Sequence, residues 1–264
     1  MNLKSATFTL LCSLMSLGAA ASSPDGYTLV WHDEFDAPGP AAPSADLYST
    51  PARSNAAWAR FISTRPDLMV VEDGVLKMYC RPNDTPDADN PGAMVSGAIE
   101  TRGHFSIRHG RVEARMRVDG YRGSFPAFWM MPDSQPDGWP TAGEIDIFES
   151  INAENVAYAT LHTGRVANDD IITAAYKEPT DIGEWHVYGV EWTPGEMRFT
   201  IDGRVCGTVT RSTINGGLWP FDDNKYYLIL NQSVGNGSWA ADADTSHTYL
   251  TEVDWVRVYQ REQP

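Results

Sequence analysis

The chain has 264 residues, with 20 Lys and Arg against 35 Asp and Glu, a formal charge of −15, and nine tryptophans. That charge excludes a nucleic-acid backbone or an anionic membrane surface as partner, because both require clustered Lys and Arg. With 42% apolar residues and no long low-complexity tract, the chain is also too hydrophobic for disorder and long enough to bury a sizeable core.

Residues 1–21 read as a secretory signal peptide. Lys4 supplies a positive start, Ala6 to Leu17 an apolar run, and Gly18-Ala19-Ala20-Ala21 the small residues that precede cleavage. The run is shorter than the roughly 20 apolar residues needed to cross a bilayer, so no membrane insertion is expected. The mature protein is therefore expected to be secreted or periplasmic. Residues 22–264 hold no Pro/Gly/Ser linker and no internal repeat, and are expected to form one domain. Cys80 and Cys206 remain in it. They could pair in an oxidising compartment, but two half-buried strand residues is the simpler reading.

Along the mature chain the hydrophobic period is two. Arg111 to Val118 alternates charged with apolar residues, and Arg198 to Val205 reads as strand, Asp202-Gly203 turn, strand. Tyr226 to Leu230 and Val253 to Tyr259 are rich in β-branched and aromatic residues. Turn signals at Asp73-Gly74, Asn215-Gly216-Gly217 and Asn236-Gly237 separate such segments, and residues 82–92 read as a solvated loop. No βαβ alternation is present. The expected fold is all-β, an antiparallel two-sheet β-sandwich of jelly-roll type.

The chemistry concentrates in Gly143-Glu144-Ile145-Asp146-Ile147-Phe148-Glu149-Ser150. On a regular strand Glu144 and Asp146 share a face and Glu149 points the other way. A one-residue bulge around Ile147-Phe148 would bring all three carboxylates to one side. Gathering like charges destabilises a sheet unless something uses them, and Phe125, Trp129 and Trp139 lie close upstream.

The motif resembles that of glycoside hydrolase family 16 in its bulged E-x-D-x-x-E form. Leu29-Val30-Trp31-His32-Asp33-Glu34-Phe35 looks like the family's opening strand, and Ser124 to Pro132 like the segment ahead of its active site. Gly138-Trp139-Pro140 leads into the acids, and Asp254-Trp255-Val256-Arg257-Val258-Tyr259 looks like the closing strand. The resemblance implies a jelly roll with a concave sugar-binding cleft and a retaining endo-acting β-glycosidase. It implies Glu144 as nucleophile, Glu149 as general acid/base, and Asp146 as the group that orients and tunes them. No cofactor is implied for catalysis. A structural calcium is, at Glu34 and Asp254, with oxygen donors of the kind Ca²⁺ prefers.

Trp129 and Trp139 are candidates for stacking on sugar rings, and His162 falls where the family often places a cleft histidine. Phe125, Trp58 and Arg60 are candidates for the cleft wall, and Trp239 for its edge. Trp185, Trp192 and Trp255 are assigned to the core. The bulged motif points to the branch with laminarinases, agarases and endo-β-galactosidases, rather than the branch with the shorter E-x-D-x-E. Leu218 to Gly235 looks like laminarinases, except that Gln232-Ser233 replaces a small apolar pair and Phe125 a tryptophan. The stretch Trp58-Ala59-Arg60-Phe61 looks more like endo-β-galactosidases. The expected substrate is therefore a polysaccharide or O-glycan, with endo-β-1,4-galactosidase on poly-N-acetyllactosamine or mucin-type chains ahead of endo-β-1,3-glucanase. Transglycosylation by the same residues and a non-catalytic carbohydrate-binding module are the remaining readings, and a monomer is expected.

Overall fold

The computed structural model of the protein describes residue 24 and residues 26–261, apart from 167 and 217. The leader expected at residues 1–21 lies outside the described residues. Strands dominate: β1 (Tyr27–Asp33), β2 (Met69–Glu72), β3 (Val75–Pro82), β4 (Met94–Ser96), β5 (Ala98–Glu100), β6 (Gly110–Val118), β7 (Ser124–Pro132) and β8 (Glu144–Glu149). They continue with β9 (Val156–Thr163), β10 (Ile171–Pro179), β11 (His186–Thr193), β12 (Glu196–Ile201), β13 (Arg204–Thr210), β14 (Tyr226–Val234) and β15 (Tyr249–Arg261). Among the described residues the helical elements are short 3₁₀ turns, and none is long and apolar enough to cross a membrane.

The strands form two antiparallel sheets, the sandwich expected from the period-two patterning. One runs β13-β12-β11-β6-β15-β3-β2, with β1 also on β15 and β4 on β3; the other runs β10-β9-β8-β7-β14-β5. The core lies between them. Val112, Ala114, Met116 and Val118 of β6 face Phe128 and Met130 of β7 and Ile145, Ile147 and Phe148 of β8, all buried in one cluster. Each such large side chain contributes roughly 1.5–3 kcal/mol by leaving water. At one side the sheet edges nearly touch: a Cβ on Gly207 of β13 would lie 2.0 Å from the Ala175 carbonyl oxygen of β10. Only glycine permits that approach.

Three sequence readings are refined here. Pro82 belongs to β3, and the loop after it is tied down by Asn83, whose amide donates to the carbonyls of Asn90 (2.7 Å) and Gly92 (2.8 Å). Trp192 is fully buried, but Trp185 and Trp255 are only half-buried and pack under arginines, Trp185 between Arg115 and Arg117 and Trp255 against Arg257. A register shift between Val253 and Trp255 explains the second case, since it turns Trp255 outward while Val253 and Val256 stay in the core. Cys80 and Cys206 are both free. They sit on β3 and β13, five places apart in one sheet, or roughly 24 Å at about 4.8 Å per strand, far beyond disulfide reach.

Candidate active site

The acids stand on β8, in the middle of the six-stranded sheet. Asp146 pairs in register with Trp129 on β7 and Thr160 on β9, whereas Glu149 pairs with Ala127 and Tyr158. Three residues of β8 thus span two of β9, and the surplus residue lies at Ile147-Phe148. Its effect is to send Ile145, Ile147 and Phe148 into the core while Glu144, Asp146 and Glu149 share the opposite face. Gly143 sets the entry to the strand. Its φ is +90°, and a Cβ there would lie 2.5 Å from the Tyr226 hydroxyl, which itself donates to the Ala142 carbonyl at 2.7 Å.

Around the acids the contacts are polar and directed. The Trp139 indole N–H donates to Glu144 Oε2 at 2.6 Å. His162 Nε2 lies 3.2 Å from Asp146 Oδ2, and its Nδ1 lies 2.9 Å from Asp170 Oδ1. Burial pushes all three carboxyls up. Glu144 rises to about 8, mainly through desolvation and then the charge of Asp146; the His162 charge and the Trp139 hydrogen bond oppose the rise. Asp146 rises to about 8 through desolvation, against a hydrogen bond with Glu144. Glu149 is pushed well above the carboxylate range by desolvation and by its two acidic neighbours, with only the His162 charge opposing. The environments are unequal: Glu144 has a donor that favours its ionised form, and Glu149 has none among the described residues.

A cleft of about 430 Å³ opens beside Glu144, lined among others by Trp58, Trp129, Trp139, Tyr227, Glu100 and Arg102. Trp129 forms its floor and meets Trp58 edge-on at 4.8 Å between centroids. Trp139 stays 39% exposed at its side. Trp239 is 49% exposed and packs on Tyr158 near Glu149. Phe125 joins Tyr158 in the same small cluster, so a second aromatic patch lies at the Glu149 end. Arg60 is not among the residues that line this cavity of about 430 Å³: its guanidinium hydrogen-bonds the Gly235 carbonyl and caps the Phe61 ring. That interaction joins loops distant in sequence, which no local pattern signals.

The calcium expectation is corrected by the charges present. Arg257 grips both carboxylate oxygens of Glu34, at 2.9 and 2.7 Å, and Arg115 pairs with Asp254. Each carboxylate therefore already has a cation, and these donors do not fit Ca²⁺. The tight donor cluster among the described residues is Glu144, Asp146 and His162, whose ligand atoms lie within 4.8 Å of one another. Glu144 takes the Trp139 N–H and His162 lies 3.2 Å from Asp146, so these groups stand close enough to one another to influence each other's protonation.

Other residues here were not singled out by sequence reasoning. Asn231, fully buried, accepts from the Trp129 indole at 2.8 Å and donates to Ser233 Oγ at 2.9 Å; Ser233 in turn donates to the Trp58 carbonyl at 2.6 Å. Of the Gln232-Ser233 pair that departs from small apolar residues, Ser233 thus holds the Trp58 backbone, while Trp129 is held by Asn231. Gln232 points to the core side, where Oε1 accepts from Thr251 at 2.7 Å. Alternation within β14 was the available signal, since it puts Tyr227, Ile229, Asn231 and Ser233 on the cleft face.

A sequence profile of glycosyl hydrolases family 16 matches residues 62–257. The chain belongs to that family. Its enzymes hydrolyse glycosidic bonds without a catalytic cofactor, and this one is an endo-acting glycosidase. Among the similar proteins, a keratan-sulfate endo-1,4-β-galactosidase from Sphingobacterium multivorum is 34% identical over 92% of this chain. The match spans only 58% of that relative's own length. The family 16 fold is also shared with a solved non-specific endo-β-1,3(4)-glucanase, at TM-score 0.77 and 32% identity over 91% of this chain and 94% of that one. An endo-acting O-glycanase structure, from prominent members of the human gut microbiota that initiate mucin breakdown, aligns at TM-score 0.77 and 25% identity, covering 91% and 93% of the two chains.

Proposed function

We propose that this family 16 enzyme is a retaining endo-β-1,4-galactosidase acting on poly-N-acetyllactosamine, keratan-type or mucin-type O-glycans. The observation that carries the mechanism is the bulged β8, with three carboxyls on its cleft face in unequal environments. Glu144, whose ionised form Trp139 favours, attacks the anomeric carbon. Glu149, the carboxyl held most firmly protonated, gives its proton to the leaving oxygen. A glycosyl ester of Glu144 results, and Glu149, now a carboxylate, takes a proton from the water that cleaves it. Asp146 stands between them on the same face and its charge raises both carboxyls, so the difference between the two comes from the Trp139 N–H that only Glu144 accepts among the described residues. A sugar acceptor in place of that water would give transglycosylation.

The galactosidase reading draws on the 34% identical relative and on Trp58, which stands in the cleft wall. An endo-β-1,3-glucanase is the second reading, favoured by the glucanase fold match. Product profiles on keratan-type glycans, mucin O-glycans, agarose and laminarin separate the two: internal-cleavage oligosaccharides from laminarin alone would overturn the first. We propose also that the enzyme is exported, secreted or periplasmic, and acts as a monomer. Mature protein should begin at Ser22, and an intact residue 1–21 segment would refute export.

A further inference from the structure

We propose that Arg102 reads a negatively charged substituent, a sulfate ester or a carboxylate, on a sugar of the bound glycan away from the scissile bond. This deepens the reading of the cleft as an endo-glycosidase site and rests on it.

The placement follows from strand register. Met131 pairs with Tyr227, and Ile229 with Glu100. Two residues on from Glu100, Arg102 therefore continues the row that runs from Glu144 through Met131 and Tyr227. Three strand spacings of about 4.8 Å put its backbone roughly 14 Å across the sheet from that of Glu144. The Arg102 guanidinium lies 5.6 Å from the centroid of the Tyr227 ring, which gives the planar fork a platform. Arg102 is also the residue shared by the cleft of about 430 Å³ and a neighbouring cavity of about 450 Å³ that runs on past His104 and Asp133.

Among the arginines that lack a carboxylate partner in the described residues, Arg102 is the one that lines the cleft beside Glu144. Nine other arginines of the described residues form ion pairs with Asp or Glu. Arg102, in a chain with 35 acids, forms neither an ion pair nor a hydrogen bond within the described residues. Its near neighbour Glu100 is 8% exposed and is not in ion-pair contact, and burial pushes its carboxyl up, so it compensates the guanidinium weakly. An exposed fork, backed by an aromatic ring and aimed along a sugar cleft, matches a planar or tetrahedral oxyanion with two parallel N–H donors. One cation among many acids suits a sparsely charged glycan. A dense polyanion would meet the net −15 of the chain.

The test uses the full enzyme and three matched lactosamine oligosaccharides: uncharged, sulfated and sialylated. Turnover is measured on the parent enzyme and on Arg102→Gln and Arg102→Lys, and binding on Glu149→Gln with and without Arg102→Gln. The ratio of kcat/KM for the charged over the uncharged glycan should fall about tenfold in Arg102→Gln, the size of one charge-assisted contact. Arg102→Lys should keep part of the ratio, and salt should erode it in the parent. The anion giving the larger ratio identifies the source. An unchanged ratio, or equal or absent affinity for the three glycans, overturns the proposal. Selective binding of a charged glycan without its cleavage supports Arg102 and refutes the galactosidase reading instead.

Discussion

Replacing Trp139 by Phe keeps an aromatic face toward the cleft and deletes one proton donor, the indole N–H 2.6 Å from Glu144 Oε2. Hydrogen bonds to charged groups contribute about 1.5–3 kcal/mol. Trp139 is 39% exposed, so water partly substitutes for the lost donor, and about 1.4 kcal/mol is the fitting magnitude. That equals one pKa unit. The loss falls on the ionised form alone, so the Glu144 carboxyl, already at about 8, moves one unit further up. At pH 7 the ionised fraction, and kcat/KM with it, drops about tenfold. The acidic limb of the kcat/KM profile shifts upward by about one unit, while the alkaline limb, set by Glu149, stays in place. A profile from pH 5 to 9.5 on a defined oligosaccharide reads this directly. A stationary acidic limb with a raised KM would refute the reasoning and leave the indole as a stacking surface only.

Glu144→Gln and Glu149→Gln should each lose at least about 10³-fold in turnover with the fold intact by circular dichroism, and full activity in either would remove the assignment. Both carboxyls have folded-state pKa values above the unfolded ones, so the native state binds the extra protons. Stability should therefore fall as pH rises from about 4.5 through 8. In thermal melts at pH 8 each Gln variant should gain about 1–2 kcal/mol over the parent, and no gain would refute the burial cost. Asp170→Asn frees His162 Nδ1; kcat should drop about tenfold with KM little changed, and equal losses in binding and turnover would make Asp170 a scaffold residue. Asn231→Ala leaves the buried Trp129 indole without its acceptor, costing about 1–3 kcal/mol in denaturant unfolding. Because arginines already satisfy Glu34 and Asp254, EDTA should leave the melting temperature unchanged, and a fall of several degrees would restore the calcium site.

Legibility in the sequence followed the range of the interaction. Parity along one strand was enough to demand a bulge in Glu144 to Glu149, and register shows it at Ile147-Phe148. Period two in Arg111 to Val118 foretold which β6 side chains enter the core. What parity cannot say is which strand lies alongside. Asn231 meets Trp129 across 102 positions, Ser233 meets Trp58 across 175, and Glu34 meets Arg257 across 223. Arg60 was named with its neighbour Trp58, yet a step of two along a 3₁₀ turn takes its guanidinium to the Gly235 carbonyl while Trp58 lines the cavity beside Glu144. Trp255 was misassigned because a bulge in β15 reset its face. The charges of Glu34 and Asp254 were visible, their partners were not.

The surplus residue in β8 has a consequence for how such an enzyme can be altered. Removing Ile147 would restore a regular alternation, and the three acids would still emerge on one side, in the shorter spacing. The cleft would barely register the deletion. The interior would, because it loses a fully buried isoleucine and must close over a void at about 2–5 kcal/mol. Catalytic geometry and interior volume are thus separately adjustable on this strand: the inserted residue is a plug for the core that the reacting face does not feel.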